Sequence, residues 1–378
     1  MSRAALVLAA AALAASSALC DPGSHARFGA EAFNCAVPMS ARATTVFSPH
    51  SFEIDCVALS DAFGAIVKSH FAERLGVLTD FEGVYRPIQA RLAAGATNGV
   101  KALSARALCM PDVKRSSVAY RREVQRLFGM EICASKPKNG AEAWLRARMD
   151  GEMEDFSILS GLVEPGRYAF YDLVSTRFAW AAKVEPAAEP MKFRARGGEV
   201  SLPALRGVMQ ADLWSPGPFT AVRLPMADGA WLYALVPSSR LSLNDIRTVF
   251  SPAKVEEMTS VMRSVTADGV EHATLDVTVP RMDVTSETDL TGVFAHFEFP
   301  LKGFERMDSQ MRPVAVVQRA RFRLDETSIP AEPAADGGEA RPAAARPFAL
   351  DRPFLFFIYP EPTATIPAAG VFTGREGI

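Results

Sequence analysis

The sequence has no surplus of either charge: 41 Lys and Arg stand against 43 Asp and Glu over 378 residues, a formal net charge of −2. Without a basic excess there is no electrostatic footprint for a phosphate backbone, so nucleic acid is not expected as a partner. Histidine and cysteine are scarce, five of each. His25, His50, His70, His272 and His296 are scattered, and none stands at ligand spacing from a cysteine or carboxylate, so no metal site is expected. There is no G-x-G-x-x-G, no P-loop and no G-x-S-x-G, which removes the usual signatures of dinucleotide, triphosphate and α/β-hydrolase chemistry. No cofactor is expected. His50 stands beside Ser48 and Ser51 in "FSPHSFEI". Serines at that spacing ahead of an apolar helix read as caps, not as a nucleophile with its base. The chain is not expected to be an enzyme.

What is present is an ordinary globular composition, 49% hydrophobic and 22% charged, enough for a large core. Length alone allows two domains or one large one. The N-terminus has Arg3, an apolar run from Ala4 to Ala15, and then small residues Ser16, Ser17 and Ala18. That three-part pattern predicts a secretory signal over residues 1–18, too short for a comfortable membrane span, and therefore an exported, extracytoplasmic protein without a membrane span. Export makes disulfides available to the cysteines, and an odd count leaves at least one with another fate. Cys20 directly follows the signal. It is either a lipid anchor or a free residue, since Leu19 is bulky for a lipoprotein signal.

Apolar spacing predicts helices in "HARFGAEAFNCAVP", in "SFEIDCVALSDAFGAIVKSHF", in "RREVQRLF" and in "GAEAWLRARMDGEM". In the second, Phe52, Cys56, Leu59, Phe63 and Ile66 form one helical stripe. From Arg167 onward the character changes. "YAFYDLVSTRFAW", "AWLYALVP", "EHATLDVTVPRMDV", "VAVVQRARFRL", "PFLFFIYP" and "AGVFTG" are rich in β-branched and aromatic residues and bounded by Pro or Gly, which reads as strands. Helices first and strands later, without alternation, predict an α+β fold. One segment, "ETSIPAEPAADGGEARPAAARPFALDRPFLFFI" from Glu326 to Ile358, joins a coreless stretch of Pro, Ala, Gly and charge to a dense apolar strand.

"VFSPHSF" before an apolar helix, "GAEAWLRARMDGEM", "VTVPRMDV", "DRPFLFFI" and "GVFTGRE", in that order, resemble the serpin family. The resemblance implies a single domain over residues 19–378, with three β-sheets, about nine helices and an exposed reactive loop at about 326–347. It implies a monomer, and as partner an extracellular or periplasmic serine-type protease. In that family, cleavage of the loop lets its N-terminal half insert into the large sheet and trap the protease. Glu326 resembles the acidic residue that opens the hinge. The family's small-residue hinge is replaced here by Ser328, Ile329, Pro330, Ala331, Glu332 and Pro333, and proline cannot donate to a strand ladder. By loop length the scissile region falls at Arg341, Pro342 and Ala343. Ser48 and Ser51 match the paired serines beneath the sheet. Ser175 stands where an asparagine is expected, Gln318 where a histidine is, and Lys183 where a tryptophan is, with Trp180 nearby. "ALSARALCM" and "LFGMEIC" resemble the first two neighbouring strands of the large sheet, which implies a Cys109–Cys133 disulfide. Cys35 and Cys56, on adjacent early helices, are a second candidate pair.

Overall fold

The computed structural model describes residues 22–37, 43–75, 100–134, 138–154, 166–238, 242, 250–264, 267–307, 310–328 and 345–375. The signal, Cys20 and the loop residues Ile329, Pro330, Pro333, Arg341, Pro342 and Ala343 lie outside them. Seven α-helices occur among the described residues, distributed over both halves of the chain.

The helices that carry the argument are α1 (Pro22–Ala36), α2 (Pro49–Phe63), α3 (Ala65–Arg74), α4 (Val118–Phe128) and α5 (Lys138–Met149); α6 (Pro252–Arg263) and α7 (Thr291–His296) complete the set. Ser48 caps α2, its side chain accepting from Ser51 N, and Pro49 opens the first turn. The continuous helix expected through "AFGAIV" is broken. Gly64 adopts φ +94°, and the Glu305 carboxylate fills the place a Cβ would need. Past this break the stripe fails, and Ile66 is 86% exposed.

A five-stranded sheet runs β12 (Met282–Asp289), β13 (Arg312–Leu324), β4 (Arg167–Phe178), β2 (Val100–Met110) and β3 (Met130–Ala134) in spatial order. Its central β4 is buried on both faces. Ala169, Tyr171 and Leu173 pack against Leu145 and Met149 of α5, while Phe170 joins the main core on the other side. A nine-stranded sheet includes β1 (Thr45–Phe47), β8 (Ala204–Trp214), β9 (Phe219–Pro225), β10 (Ala230–Pro237), β11 (Val270–Pro280), β14 (Arg346–Ala349), β15 (Phe354–Pro360) and β16 (Ala368–Phe372). Its ninth strand, β5 (Glu185–Pro186), pairs with β8, while β6 (Met191–Ala195) and β7 (Gly198–Leu202) form a small hairpin sheet.

All of β15 is buried because it serves two cores. Leu355, Phe357 and Tyr359 face the helical core; Phe354, Phe356 and Ile358 face the side shared with β4 and β13. Gly370 on β16 lets the Phe356 ring lie on its backbone, since a Cβ there would meet that ring at 2.5 Å. The molecule is thus an α+β fold built on three sheets. No helix among the described residues is long and apolar enough to cross a membrane.

Cys109 and Cys133 face each other across β2 and β3 and form a disulfide. Cys35 and Cys56 are free, contrary to the second pairing expected. Contacts between α1 and α2 run in opposite directions along the two helices: His25 meets Glu53, Phe28 stacks on Phe52, and Gly29 approaches Pro49. Cys35 therefore lies beyond the start of α2, while Cys56 lies the other way along it.

Candidate functional site

The geometry centres on the seam between β4 and β13. These strands are parallel neighbours, in register from Arg167 opposite Arg312 to Arg177 opposite Arg323, with a bulge between Pro313 and Ala315. Both are joined directly, with no strand between them.

At the top of the seam the chain leaves β13 still travelling with β4. Trp180, fully buried, donates its backbone N–H to Thr327 O at 2.8 Å and its indole N–H to Asp325 O at 2.9 Å. Ser328 makes a parallel bridge with Trp180. Asp325 accepts from Thr327 N at 2.9 Å and from Arg177 at 3.4 Å; burial opposes its ionisation, but the Thr327 bonds and nearby arginines hold its carboxyl below the usual range. Glu326 is solvent-facing and pairs with Arg281 at 3.3 Å. The chain is described again from Ala345, and β14 lies parallel to β11 at the end of the nine-stranded sheet. Ser328 therefore stands beside the five-stranded sheet, while Arg346, where β14 begins, belongs to a different one. Lys183 is not at this place: its side chain is 80% exposed and pairs with Glu185. The buried indole at the seam's mouth belongs to Trp180.

Halfway down, a polar cluster is buried between α2 and the sheet. Gln318 stands opposite Asp172 in the parallel register. Its amide donates to Asp172 Oδ2 at 2.8 Å and to Ser48 O at 3.1 Å, and its Oε1 accepts from Ser48 N at 2.7 Å. Ser51 Oγ donates to Asp172 Oδ1 at 2.9 Å and accepts from Arg106 at 2.5 Å. Arg106 also donates to Asp55 at 2.6 Å and has Asp172 at 3.9 Å. Two carboxylates thus share one guanidinium. Burial and then the Asp172 charge push the Asp55 carboxyl well above the carboxylate range. Next to it His25 Nδ1 meets Glu53 Oε1 at 2.5 Å, all of it buried. Burial alone would raise Glu53, but the His25 charge and hydrogen bond, with help from His50, bring it to about 2.

Ser48, Ser51 and Gln318 meet in this one cluster. Ser175 does not join them. It stands an odd number of residues from Asp172 on β4, and so on the α5 side of the sheet with Tyr171 and Leu173. Asp172 occupies the place assigned to Ser175, a shift of three residues. Arg106, Asp55 and Glu53 were not singled out from the sequence. The signal was there: one charge inside each of the apolar runs "YAFYDLVS" and "ALSARALCM", and two inside "SFEIDCVALS", have to be paired when buried. His50 makes no hydrogen bond to either serine; its Nδ1 lies 3.7 Å from Glu53 and burial pushes its pKa down. The described residues also contain no group of three or more His, Cys, Asp or Glu placed to hold a metal.

Residues 24–374 match the family model described as "Serpin (serine protease inhibitor)". No curated protein matches the sequence significantly. Among solved structures the fold is similar to native protease nexin-1 with heparin, at 16% identity and TM-score 0.76, covering 93% of this chain and 98% of that one. It is also similar to the mouse protein-Z dependent protease inhibitor, at 13% identity and TM-score 0.73, covering 96% and 98%. A third similar structure is Serpin48 of the insect Tenebrio molitor, at 14% identity and TM-score 0.71, covering 93% and 97%.

Proposed function

The chain belongs to the serpin family, and from that premise we propose that it offers residues 329–344 as bait to a serine-type protease outside the cytoplasm, yet traps that protease poorly or not at all. The observation that carries this reading is the closed parallel seam between β4 and β13, set directly before a hinge that contains Pro330 and Pro333. A segment leaving β13 at Leu324 has to turn back to enter between β4 and β13, and would lie antiparallel to both. That exchange replaces one parallel pairing by two antiparallel ones, which are more stable per residue and supply the driving force for trapping.

Proline spoils the exchange locally. Every N–H of a central strand is bonded to one neighbour or the other, so each proline strands a buried acceptor at about 1–3 kcal/mol, or about 2–6 kcal/mol for two. If half of that falls on the insertion barrier, insertion slows roughly 5- to 150-fold, at about 1.4 kcal/mol per tenfold. Hydrolysis of the acyl link then wins. Arg341-Pro342 and Arg346-Pro347 suit trypsin-like proteases badly, because the residue after the arginine lacks an N–H. The run Ala343 to Ala345 suits a protease that prefers small residues. The signal over residues 1–18 directs export, with cleavage near Ala18 in a soluble form or directly before Cys20 if that residue is lipidated.

The same hinge supports a second reading, a non-inhibitory binding or surface-anchored protein on a serpin scaffold. Both are tested by incubation with a panel of trypsin-like and elastase-like serine proteases, followed by a denaturing gel. Cleavage within about 335–345 without a stable covalent complex is expected. Resistance to every protease leaves only the second reading. A complex band accumulating in near-stoichiometric amount overturns both.

A further inference from the structure

The outer face of the five-stranded sheet carries a row of three cations. Lys101 on β2 and Arg323 on β13 both stand opposite the same residue, Arg177, on the β4 between them. Like charges on neighbouring strands repel. The row exists because acids are delivered onto it. Asp325 takes Arg177 at 3.4 Å. Glu152 takes the other two: Lys101 Nζ lies 2.8 Å from its Oε1, and Arg323 donates to its Oε2. Its own carbonyl accepts from Arg321, which forks onto Asp283 of β12 at 2.7 and 2.6 Å.

Local backbone puts Glu152 there. The chain leaves α5 through Asp150 at φ +47° and Gly151 at φ +72°, and Glu152 N bonds back to Met149 O at 2.8 Å. This tight reversal folds Glu152 down onto the sheet, where it is only 7% exposed. Burial opposes its charge, but the Lys101 hydrogen bond and the Arg323 charge keep its carboxyl below the usual range, so it is an ionised group held over β4.

We propose that Glu152 is the positioning residue that latches this seam, joining β2 to β13 across β4 so that β13 cannot part from β4 until both cations are released. Neighbouring strands lie about 4.8 Å apart, so Lys101 and Arg323 are anchored about 10 Å apart; a strand entering between β4 and β13 widens that to about 14 Å. The entering strand also brings an outward side chain between Arg177 and Arg323, directly beneath the buried Glu152. The carboxylate has to leave for that side chain to fit. Its consequence for trapping rests on the serpin reading above, but the latch itself is a property of the uncleaved sheet.

The test is therefore made on the intact protein, by amide hydrogen exchange of peptides from β4 and β13, with β15 and β16 as the internal reference. Glu152→Gln keeps shape and one acceptor but loses the charge. It is expected to speed exchange in β4 and β13 by about tenfold while β15 and β16 stay unchanged. Arg323→Gln should do the same, and the double variant should be no faster than either single one. Unchanged exchange in Glu152→Gln overturns the proposal. So does equal acceleration in β15 and β16, which marks general destabilisation, and so does additivity in the double variant. A covalent protease complex would overturn the hinge reading and leave the latch standing.

Discussion

Asp172 is the residue through which the buried cluster holds the seam, and Asp172→Ala is the sharpest perturbation of it. The carboxylate is fully buried and accepts from Ser51 on one oxygen and from Gln318 on the other. Truncation leaves two buried donors without acceptors, each costing about 1–3 kcal/mol. Arg106 keeps its 2.6 Å bond to Asp55. Of burial and the Asp172 charge, which push the Asp55 carboxyl up, only burial remains, so Asp55 takes over the pairing. The sum is about 2–6 kcal/mol, a range that includes the cost typical of breaking a buried charged network. With an unfolding entropy of about 2.1 cal/mol/K per residue, a domain of about 350 residues loses about 3–8 °C in Tm. Asp172→Asn should behave differently. It keeps an acceptor for one donor, and it removes the charge that, after burial itself, pushes the Asp55 carboxyl up. Its cost is expected to be about 0–2 kcal/mol. Calorimetric melts of the three proteins at neutral pH decide the matter. A Tm for Asp172→Ala within about 1 °C of wild type, or an Asn variant as damaged as the Ala variant, refutes the account of the cluster.

Glu53 gives a pH dependence of definite sign. Its folded pKa of about 2 lies below the unfolded 4.5, so its stabilisation is present above pH 4.5 and is lost as pH falls toward 2. The amount is about 3 kcal/mol, at about 1.4 kcal/mol per unit. The difference in Tm between wild type and Glu53→Gln should therefore shrink on acidification through that window; a constant difference contradicts the pairing with His25. The Cys109–Cys133 bridge closes a sequence separation of 24, which is worth about 3–4 kcal/mol in the chain-entropy model. Reduction, or Cys109→Ser with Cys133→Ser, should lower Tm by about 4–6 °C, and an unchanged melt rules the bridge out as a stabilising element. Replacing Pro330 and Pro333 with Ala and Ile329 with Thr should raise the yield of covalent protease complex, seen as a new band on a denaturing gel; no gain in yield shows that the hinge is not the obstacle.

The elements rich in Val, Phe and Tyr were legible because their burial follows directly from composition. "PFLFFIYP" reads as a doubly buried strand, and it is one. Helix α2 was legible up to Phe63, where a positive-φ glycine and the Glu305 carboxylate end a stripe that spacing alone carries on to Ile66. The site was less legible. Ser48, Ser51 and Gln318 meet, but their partner on β4 depends on strand parity and on the Gln318–Asp172 register, which a single sequence does not display. A shift of three residues moves a side chain to the other face of a sheet, and that separates Asp172 from Ser175. Trp180 rather than Lys183 at the mouth of the seam is the same three-residue displacement. Cys35 and Cys56 were misread because the crossing direction of two helices decides which of their cysteines meet. Glu152 was invisible as a latch until the reversal after α5 and the shared position opposite Arg177 were known.

The most direct test of the central claim is the melting temperature before and after a single cut in the loop, between about Ala335 and Ala345. The C-terminal fragment should stay bound, because β15 and β16 are buried and the cut removes none of their contacts. If the loop cannot enter the seam between β4 and β13, the cleaved protein melts within a few degrees of the intact one. A large upward shift means that the loop has entered as a new central strand despite Pro330 and Pro333, and that the chain is a working inhibitor.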